Sequence, residues 1–303
     1  MIDIAAAVIS EKEKKIKSWP VNANHASQAG HPCTKYLVLY RTHSQDRPMH
    51  EVGLQFIFDR GNAIEPIALR EIEDAGFRVV EQQRPYEWKE LQLTGRIDAK
   101  ISVNGGLYPL EVKALSPYDF PKLNGVEDFM ASGKIWLMKY PAQLMLYMLM
   151  EGIDQGVFYI KNGLNWWPKC IWVDLDYDYA DGVVRRLEAV NKHVAEGTQP
   201  EGINDPGLCP DCDFFHICLP EIRREALAIE DDPELEAQIE RWEELKSANA
   251  EYKKLDDLLK KKLEGKERAV IGNYLIMGKY TDRKGYTVES STYWRKTIKR
   301  LEV

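Results

Sequence analysis

The sequence predicts an α/β protein in which a central sheet is flanked by helices. Three observations carry this. Two stretches read as hairpins with Asn-Gly at or near the turn, one centred on Asn104-Gly105 and the other on Asn162-Gly163. Between them lies a strongly apolar helical run, Tyr140-Pro-Ala-Gln-Leu-Met-Leu-Tyr-Met-Leu-Met150. Helical patterns also precede the first hairpin and follow the second, an alternation that builds layered α/β folds.

The stretch from Thr94 to Leu115 is the most informative. Asn-Gly favours a type I′ turn because both central residues need positive φ. With Asn104-Gly105 as the turn, Val103 faces Gly106, Asp98 lies opposite Glu111, and Arg96 lies opposite Lys113. Side chains alternate along a strand, so Asp98, Glu111 and Lys113 share one face, and Ile97, Leu110 and Val112 share the other, apolar one. Like charges directly opposed across a hairpin destabilise it. A hard divalent cation, Mg²⁺ or Mn²⁺, held by carboxylates and a backbone carbonyl would resolve the conflict. Lys113 could orient or deprotonate a water, or neutralise a phosphate. Two acids and a lysine around a metal suit phosphodiester hydrolysis. The plain alternative is a solvated strand face with cross-strand ion pairs. Glu-x-Lys is common in this chain. Glu87-Trp88-Lys89 is the chief rival, because Asp74 precedes Glu87 by the same 13 residues that separate Asp98 from Glu111. Asp74, however, falls at a helix end before Gly76.

Composition sets the bounds. The 303 residues allow one large domain with appendages or two small ones, and 44% hydrophobic content is ample for a core. The net charge of −7 advertises no global nucleic-acid affinity, so any such binding would use a local basic groove. No run approaches the ~18 apolar residues of a membrane span. The N-terminus lacks a basic leader and cleavage site, so a cytoplasmic protein is expected, and its five cysteines are not expected to form a disulfide framework.

In order, residues 3–18 read as a charged helix. Cys33 opens a helix through Tyr36, Leu37 and Tyr40. A helical pattern over Val52, Phe56 and Ile57 pauses at Asp59-Arg-Gly-Asn62. Asn62 then suits an N-cap with Glu65 completing a capping box, Pro66 being tolerated in the first turn. That helix runs to Gly76, and a strand follows over 78–87. Residues 116–135 read as irregular. On the apolar helix Gln143 and Tyr147 share a face; the plain reading is that they find local partners. The second hairpin spans 156–175 and a helix covers 178–195. A long charged helix over 232–264 carries a stripe of Leu245, Ala248, Tyr252, Leu255 and Leu259 that could pair within the chain or between copies. The tail, 268–303, reads as short strands with a turn at Asp282-Arg-Lys-Gly285. The domain division expected is 1–225, 226–265 and 266–303.

Cys209-x₂-Cys212-x₅-Cys218 is a compact trio of soft ligands in a proline-rich loop. A tetrahedral site needs a fourth ligand, from Cys33, Cys170 or His216. Zinc and iron–sulfur clusters both accept four thiolates.

Together these pieces resemble the RecB-type nucleases of the PD-(D/E)XK superfamily, and within them the iron–sulfur members, AddB-like and CRISPR-associated. Five motifs match in order over roughly residues 30–220: Gly61-x₃-Glu65, Gly95-Arg-Ile-Asp98, Glu111-Val-Lys113, Gln143-x₃-Tyr147 and the cysteine trio. Two features depart. Glu65 stands where RecB proteins usually carry histidine, and Arg60-Gly61 with Glu65-Pro66 is closer to the lambda and YqaJ phage exonucleases. No helicase motif is present. The resemblance implies a restriction-endonuclease-like mixed sheet flanked by helices, with the long C-terminal helix and a small β tail appended. It implies that Asp98, Glu111, the Val112 carbonyl and Glu65 hold the metal, that Lys113 handles the attacking water, and that Gln143 and Tyr147 border the site and touch DNA. It implies a [4Fe–4S] cluster, or zinc, on Cys33, Cys209, Cys212 and Cys218, with Cys170 left as a small packed hydrophobe. It also implies a DNA-end substrate, 5′-to-3′ polarity, and a possible oligomer or annealing partner. Arg84, Lys134 and Lys139 are candidate phosphate contacts. A structure-directed endonuclease, a spacer-processing nuclease on the same scaffold, and a non-catalytic metal-stabilised nucleic-acid-binding protein are the alternatives.

Overall fold

The computed structural model describes residues 3–205, 208–218, 233–265, 268–271 and 274–277. The chain divides into two compact units, residues 1–222 with 297–303, and residues 223–296.

The larger unit opens with α1 (Ile4–Glu13), shorter than the charge pattern predicts, then β1 (Asn24–His25), α2 (Ala26–Ala29) and α3 (Thr34–Thr42). Cys33 is the N-cap of α3, its Sγ accepting the Tyr36 N–H at 3.4 Å. Next comes α4 (Val52–Asp74), one continuous helix of 23 residues. The pause expected at 59–62 is absent, and so is the capping box: Asn62 and Glu65 lie mid-helix with Pro66 inside. Packing explains this. Ala68, Leu69 and Ile72 bury against the sheet, and that burial outweighs the local breakers, including the backbone donor lost at Pro66.

The strands β2 (Arg78–Val80), β3 (Pro85–Trp88), β4 (Leu93–Arg96), β5 (Ala99–Val103) and β6 (Gly106–Leu115) follow. Residues 116–135 are not wholly irregular; they hold a 3₁₀ turn at Phe120–Lys122 and the short α5 (Val126–Met130). The apolar run is α6 (Ile135–Glu151), and β7 (Gln155–Asn162), β8 (Pro168–Asp174) and α7 (Tyr177–Glu196) follow, with a 3₁₀ turn at Cys209–Asp211 and helical residues at 215–218 after them.

Five strands form a mixed sheet in the order β2-β5-β6-β7-β8, parallel only between β6 and β7. That parallel pair needs a crossover, and α5–α6 supply it. Helix α4 covers one face, packing on Ala99, Ile101, Leu110, Val112 and Val157. Helix α6 covers the other, with Leu137, Leu144, Met145 and Met148 against Leu115, Phe158, Ile160 and Val173. A smaller sheet, β1-β4-β3, lies beside α2, α3 and α7 and shares their core.

The hairpin register is as predicted. Val103 pairs with Gly106 and Ala99 with Leu110, and Asn104 and Gly105 both take positive φ, 50° and 83°. The long first strand is where the expectation fails. Its ladder stops at Ala99, the chain breaks at Ile97-Asp98, and β4 turns away to pair with β3. Backbone bonds from Ile97 N to the Arg84 carbonyl (3.1 Å) and from Gln83 N to the Asp98 carbonyl (2.9 Å) hold the break. Arg96 therefore faces Pro85 rather than Lys113, and Ile97 joins the core under α3 and α7 rather than that of Leu110 and Val112.

In the second unit, α8 (Pro233–Leu263) is a 31-residue helix, and β9 (Arg268–Ile271) pairs antiparallel with β10 (Tyr274–Met277). Leu245, Tyr252, Leu255 and Leu259 of its stripe are exposed. The turn expected at 282–285 lies outside the described residues. Among the described residues no helix is long and apolar enough to cross a membrane.

Candidate active site

The break before β5 creates the site. Where β5 departs, Val112 loses its ladder partner, and the Asp98 side chain takes its place: Oδ2 accepts the Val112 N–H at 2.8 Å. Asp98 is thus fixed beside the central strand β6. Glu111 sits next to it on that strand with no solvent exposure. Lys113 Nζ lies 2.5 Å from Glu111 Oε2 and 3.9 Å from Asp98 Oδ2. The ion pairs of the plain reading are present, but Glu111 is not on a solvated face.

The electrostatics follow. Burial pushes the Glu111 carboxyl up to about 8, and the neighbouring Asp98 adds to the rise against the opposing Lys113 ammonium. Burial pulls Lys113 down, but Glu111 and Asp98 outweigh it and hold the ammonium well above its ordinary range. Lys113 is therefore a cation at neutral pH, suited to orienting a water or neutralising charge rather than removing a proton. Glu65 approaches from α4. Its carboxyl is raised by burial and by Asp98, while a hydrogen bond from Gln83 opposes the rise. Gln83 is a residue that sequence reasoning missed. It sits at φ 55° and ties the Asp98 backbone to the Glu65 side chain, and nothing in its spacing signals that role.

Gln143 and Tyr147 are both buried on α6. The Tyr147 hydroxyl accepts the Arg96 N–H at 3.0 Å, bracing the segment that leads into Asp98. A Cβ on Gly95 would come within 2.6 Å of that hydroxyl, which is why glycine stands there. Tyr147 is 1% exposed and braces the site from within. The three basic candidates are engaged elsewhere. Arg84 pairs with Glu81 and lies 3.6 Å from Glu151, Lys134 pairs with Asp119 at 2.6 Å, and Lys139 donates to Gln28 at 2.8 Å with burial lowering it to about 8. The rival Glu87 is exposed on β3 in the smaller sheet, and Asp74 is exposed at the end of α4.

Among the described residues no three His, Cys, Asp or Glu side chains converge closely enough to hold a metal ion. At the carboxylates the reason is visible: Lys113 supplies the counter-charge and Gln83 holds Glu65. One atom nevertheless fits a cation. Glu111 Oε1 is buried with no hydrogen-bond partner, an arrangement that is expensive unless something compensates the oxygen.

Cys33, Cys209, Cys212 and Cys218 line one cavity, with His31, Tyr36 and Phe214 among its apolar and aromatic walls. Burial pushes the Cys212 thiol up to about 12, with Cys33 and Cys218 adding to it, and raises Cys209. Four thiols share this largely apolar cavity, and their soft sulfur chemistry suits a thiophilic metal, but no three of them converge closely enough here to ligate one. Cys170 is not packed as expected. It is exposed on the edge strand β8, outside the cavity, as is His216.

No family model matches the sequence, and no curated protein matches it. Solved structures are similar at a distance. A structure titled SSO0001 has 14% identity and a TM-score of 0.43, covering 72% of this chain and 96% of its own. An alkaline exonuclease, LHK-Exo, from Laribacter hongkongensis has 16% identity and a TM-score of 0.41, covering 58% and 90%. The same exonuclease in complex with dAMP gives 13%, 0.38, 58% and 90%.

Proposed function

We propose that the protein is a divalent-metal-dependent deoxyribonuclease acting at DNA ends. The observation that carries this is Glu111: a wholly buried carboxylate with one orphan oxygen, beside Asp98 and Lys113 on a central strand. A binding module gains nothing from burying acids where phosphates must approach. Asp98, Glu111, the Val112 carbonyl and Glu65 would hold Mg²⁺ or Mn²⁺, which supplies Lewis-acid polarisation of the phosphate and a more acidic water. Asp98 keeps its place through the Val112 N–H, and Glu65 through Gln83. Lys113, held cationic, orients the water and offsets charge gathering on the phosphate. Tyr147 and Gly95 keep the Arg96–Asp98 segment at the strand end. Attack at DNA ends and 5′-to-3′ polarity rest on the resemblance of the motifs. By the same resemblance Cys33, Cys209, Cys212 and Cys218, which line one cavity, would hold [4Fe–4S], with zinc as the other occupant, as a device that ties α3 to the end of the larger unit. The test is end-labelled linear DNA beside covalently closed circular DNA, with Mg²⁺ or with EDTA. Mg²⁺-dependent loss of linear DNA alone is expected; degradation of neither, or degradation in EDTA, overturns the reading.

A further inference from the structure

The engaged lysines and arginines around the site leave a question: which cation takes the phosphates beside the one being cut? Arg60 is half-buried on α4, its Nε is buried with no hydrogen-bond partner, and no carboxylate among the described residues pairs with it. A buried Nε without a partner is costly, and the planar fork of the guanidinium suits phosphate. Its position is built. A Cβ on Gly163 would lie 3.0 Å from Arg60 Cζ and 2.9 Å from the Leu115 carbonyl, so glycine lets the guanidinium lie close against the backbone there. Gly163 N donates to that same Leu115 carbonyl at 2.7 Å, which pins the contact to the end of β6. Two rulers give the distance to the carboxylate centre. Leu115 is two residues beyond Lys113 on one strand, roughly 7 Å. Arg60 is five residues before Glu65 on one helix, roughly 7.5 Å along the axis.

Gly163 also begins the tight loop joining β7 to β8. Bonds from Trp166 N to the Asn162 carbonyl (2.9 Å) and from Leu164 N to Asn162 Oδ1 (2.9 Å) order the loop. It displays Leu164 and Trp167 at 75% and 68% exposure, and holds Trp166 at φ 62°, a conformation tryptophan rarely takes. Large exposed aromatics beside an unpaired arginine are the parts of a single-strand platform, where bases stack and the backbone is held by charge. We propose that Arg60 and the 163–167 loop form the strand-holding subsite of this nuclease: Arg60 takes a phosphate next to the scissile one, and Trp167 stacks a base of the single strand.

This rests on the nuclease reading, and the experiment separates the two. Binding of a short labelled oligo(dT) is followed by anisotropy in EDTA over a series of salt concentrations, with Mg²⁺-dependent cleavage measured in parallel. Arg60→Gln is expected to weaken binding about tenfold and to make the salt slope shallower by roughly 0.7, while Arg60→Lys restores the slope. Trp167→Ala is expected to weaken binding about tenfold with the slope unchanged. A merely structural arginine would not move the slope. If Arg60→Gln fails to fold, Arg60→Lys and Trp167→Ala carry the test. Wild-type slope and affinity in a folded Arg60→Gln protein, or wild-type affinity in Trp167→Ala, overturns the subsite while wild-type cleavage leaves the nuclease standing. A wild-type protein that neither binds nor cleaves overturns both.

Discussion

Asp98, Glu111 and Lys113 fall within 16 residues of chain, whereas Cys33 and Cys209 are 176 residues apart. The first group is assembled by strand alternation and one tight turn. The second is assembled by the whole larger unit, which brings the N-cap of α3 to the loop after α7. The two also differ in charge. The carboxyl centre is polar and buried: burial and Asp98 both raise the Glu111 carboxyl, and its own lysine offsets part of that rise. The cysteine cavity is apolar, and burial raises its Cys209 and Cys212 thiols. A cation would ease repulsion at the first, and would have to displace protons at the second. The first is therefore expected to govern activity with modest effect on stability, and the second to govern stability with little direct effect on chemistry.

The largest effect that could break this contrast is at Asp98. Asp98→Ala should reduce Mg²⁺-dependent cleavage at least a hundredfold, and also cost about 1–3 kcal/mol of stability, because the Val112 N–H is left buried without an acceptor. Steady-state cleavage and denaturant unfolding on the same preparation would read both. Next are the cysteines. Replacing Cys33, Cys209, Cys212 or Cys218 with serine should remove the bound metal or cluster and lower stability by several kcal/mol, on the order of the coupling between ligation and folding, whereas Cys170→Ser should change neither. Protein purified without oxygen should be brown in the wild type and in Cys170→Ser. A colourless protein with one zinc per chain would replace the cluster but keep the contrast.

Glu65→Gln should raise the Mg²⁺ needed for half-maximal activity about tenfold. The capping-box role is gone, since Glu65 lies mid-helix, so a stability loss without a metal shift would count against Glu65 as a ligand. The smallest effect is at the brace. Tyr147→Phe leaves the Arg96 N–H without its acceptor and should cost about 1–3 kcal/mol, with a matching loss from the added methyl in Gly95→Ala. If both variants keep full stability, the brace is not what holds Asp98.

Legibility followed the same division. The β5–β6 register could be read from Asn104-Gly105 alone because a type I′ turn fixes pairing for every residue behind it. The strand ends sooner than its alternation suggests. The period-2 pattern runs through Asp98 to Thr94 but is silent on where a strand changes partners, and the bonds that hold the change come from Gln83 and Arg84 in the loop between β2 and β3. The helix break expected at 59–62 is absent for a related reason: Gly61 and Pro66 are local signals, and the burial of Ala68, Leu69 and Ile72 against the sheet is not visible locally. The charge of Arg84, Lys134 and Lys139 is visible in the sequence, whereas their partners Glu81, Asp119 and Gln28 come to them only through the fold.

The most direct test sets the two Glu-x-Lys motifs side by side. Glu111→Ala and Glu87→Ala are purified, shown to be folded, and assayed on end-labelled linear DNA with Mg²⁺. The buried position of Glu111 on the central strand, against the exposed position of Glu87 on β3, predicts no cleavage by the first and wild-type cleavage by the second. Wild-type cleavage by Glu111→Ala, or loss of cleavage in Glu87→Ala alone, would contradict the assignment of the centre.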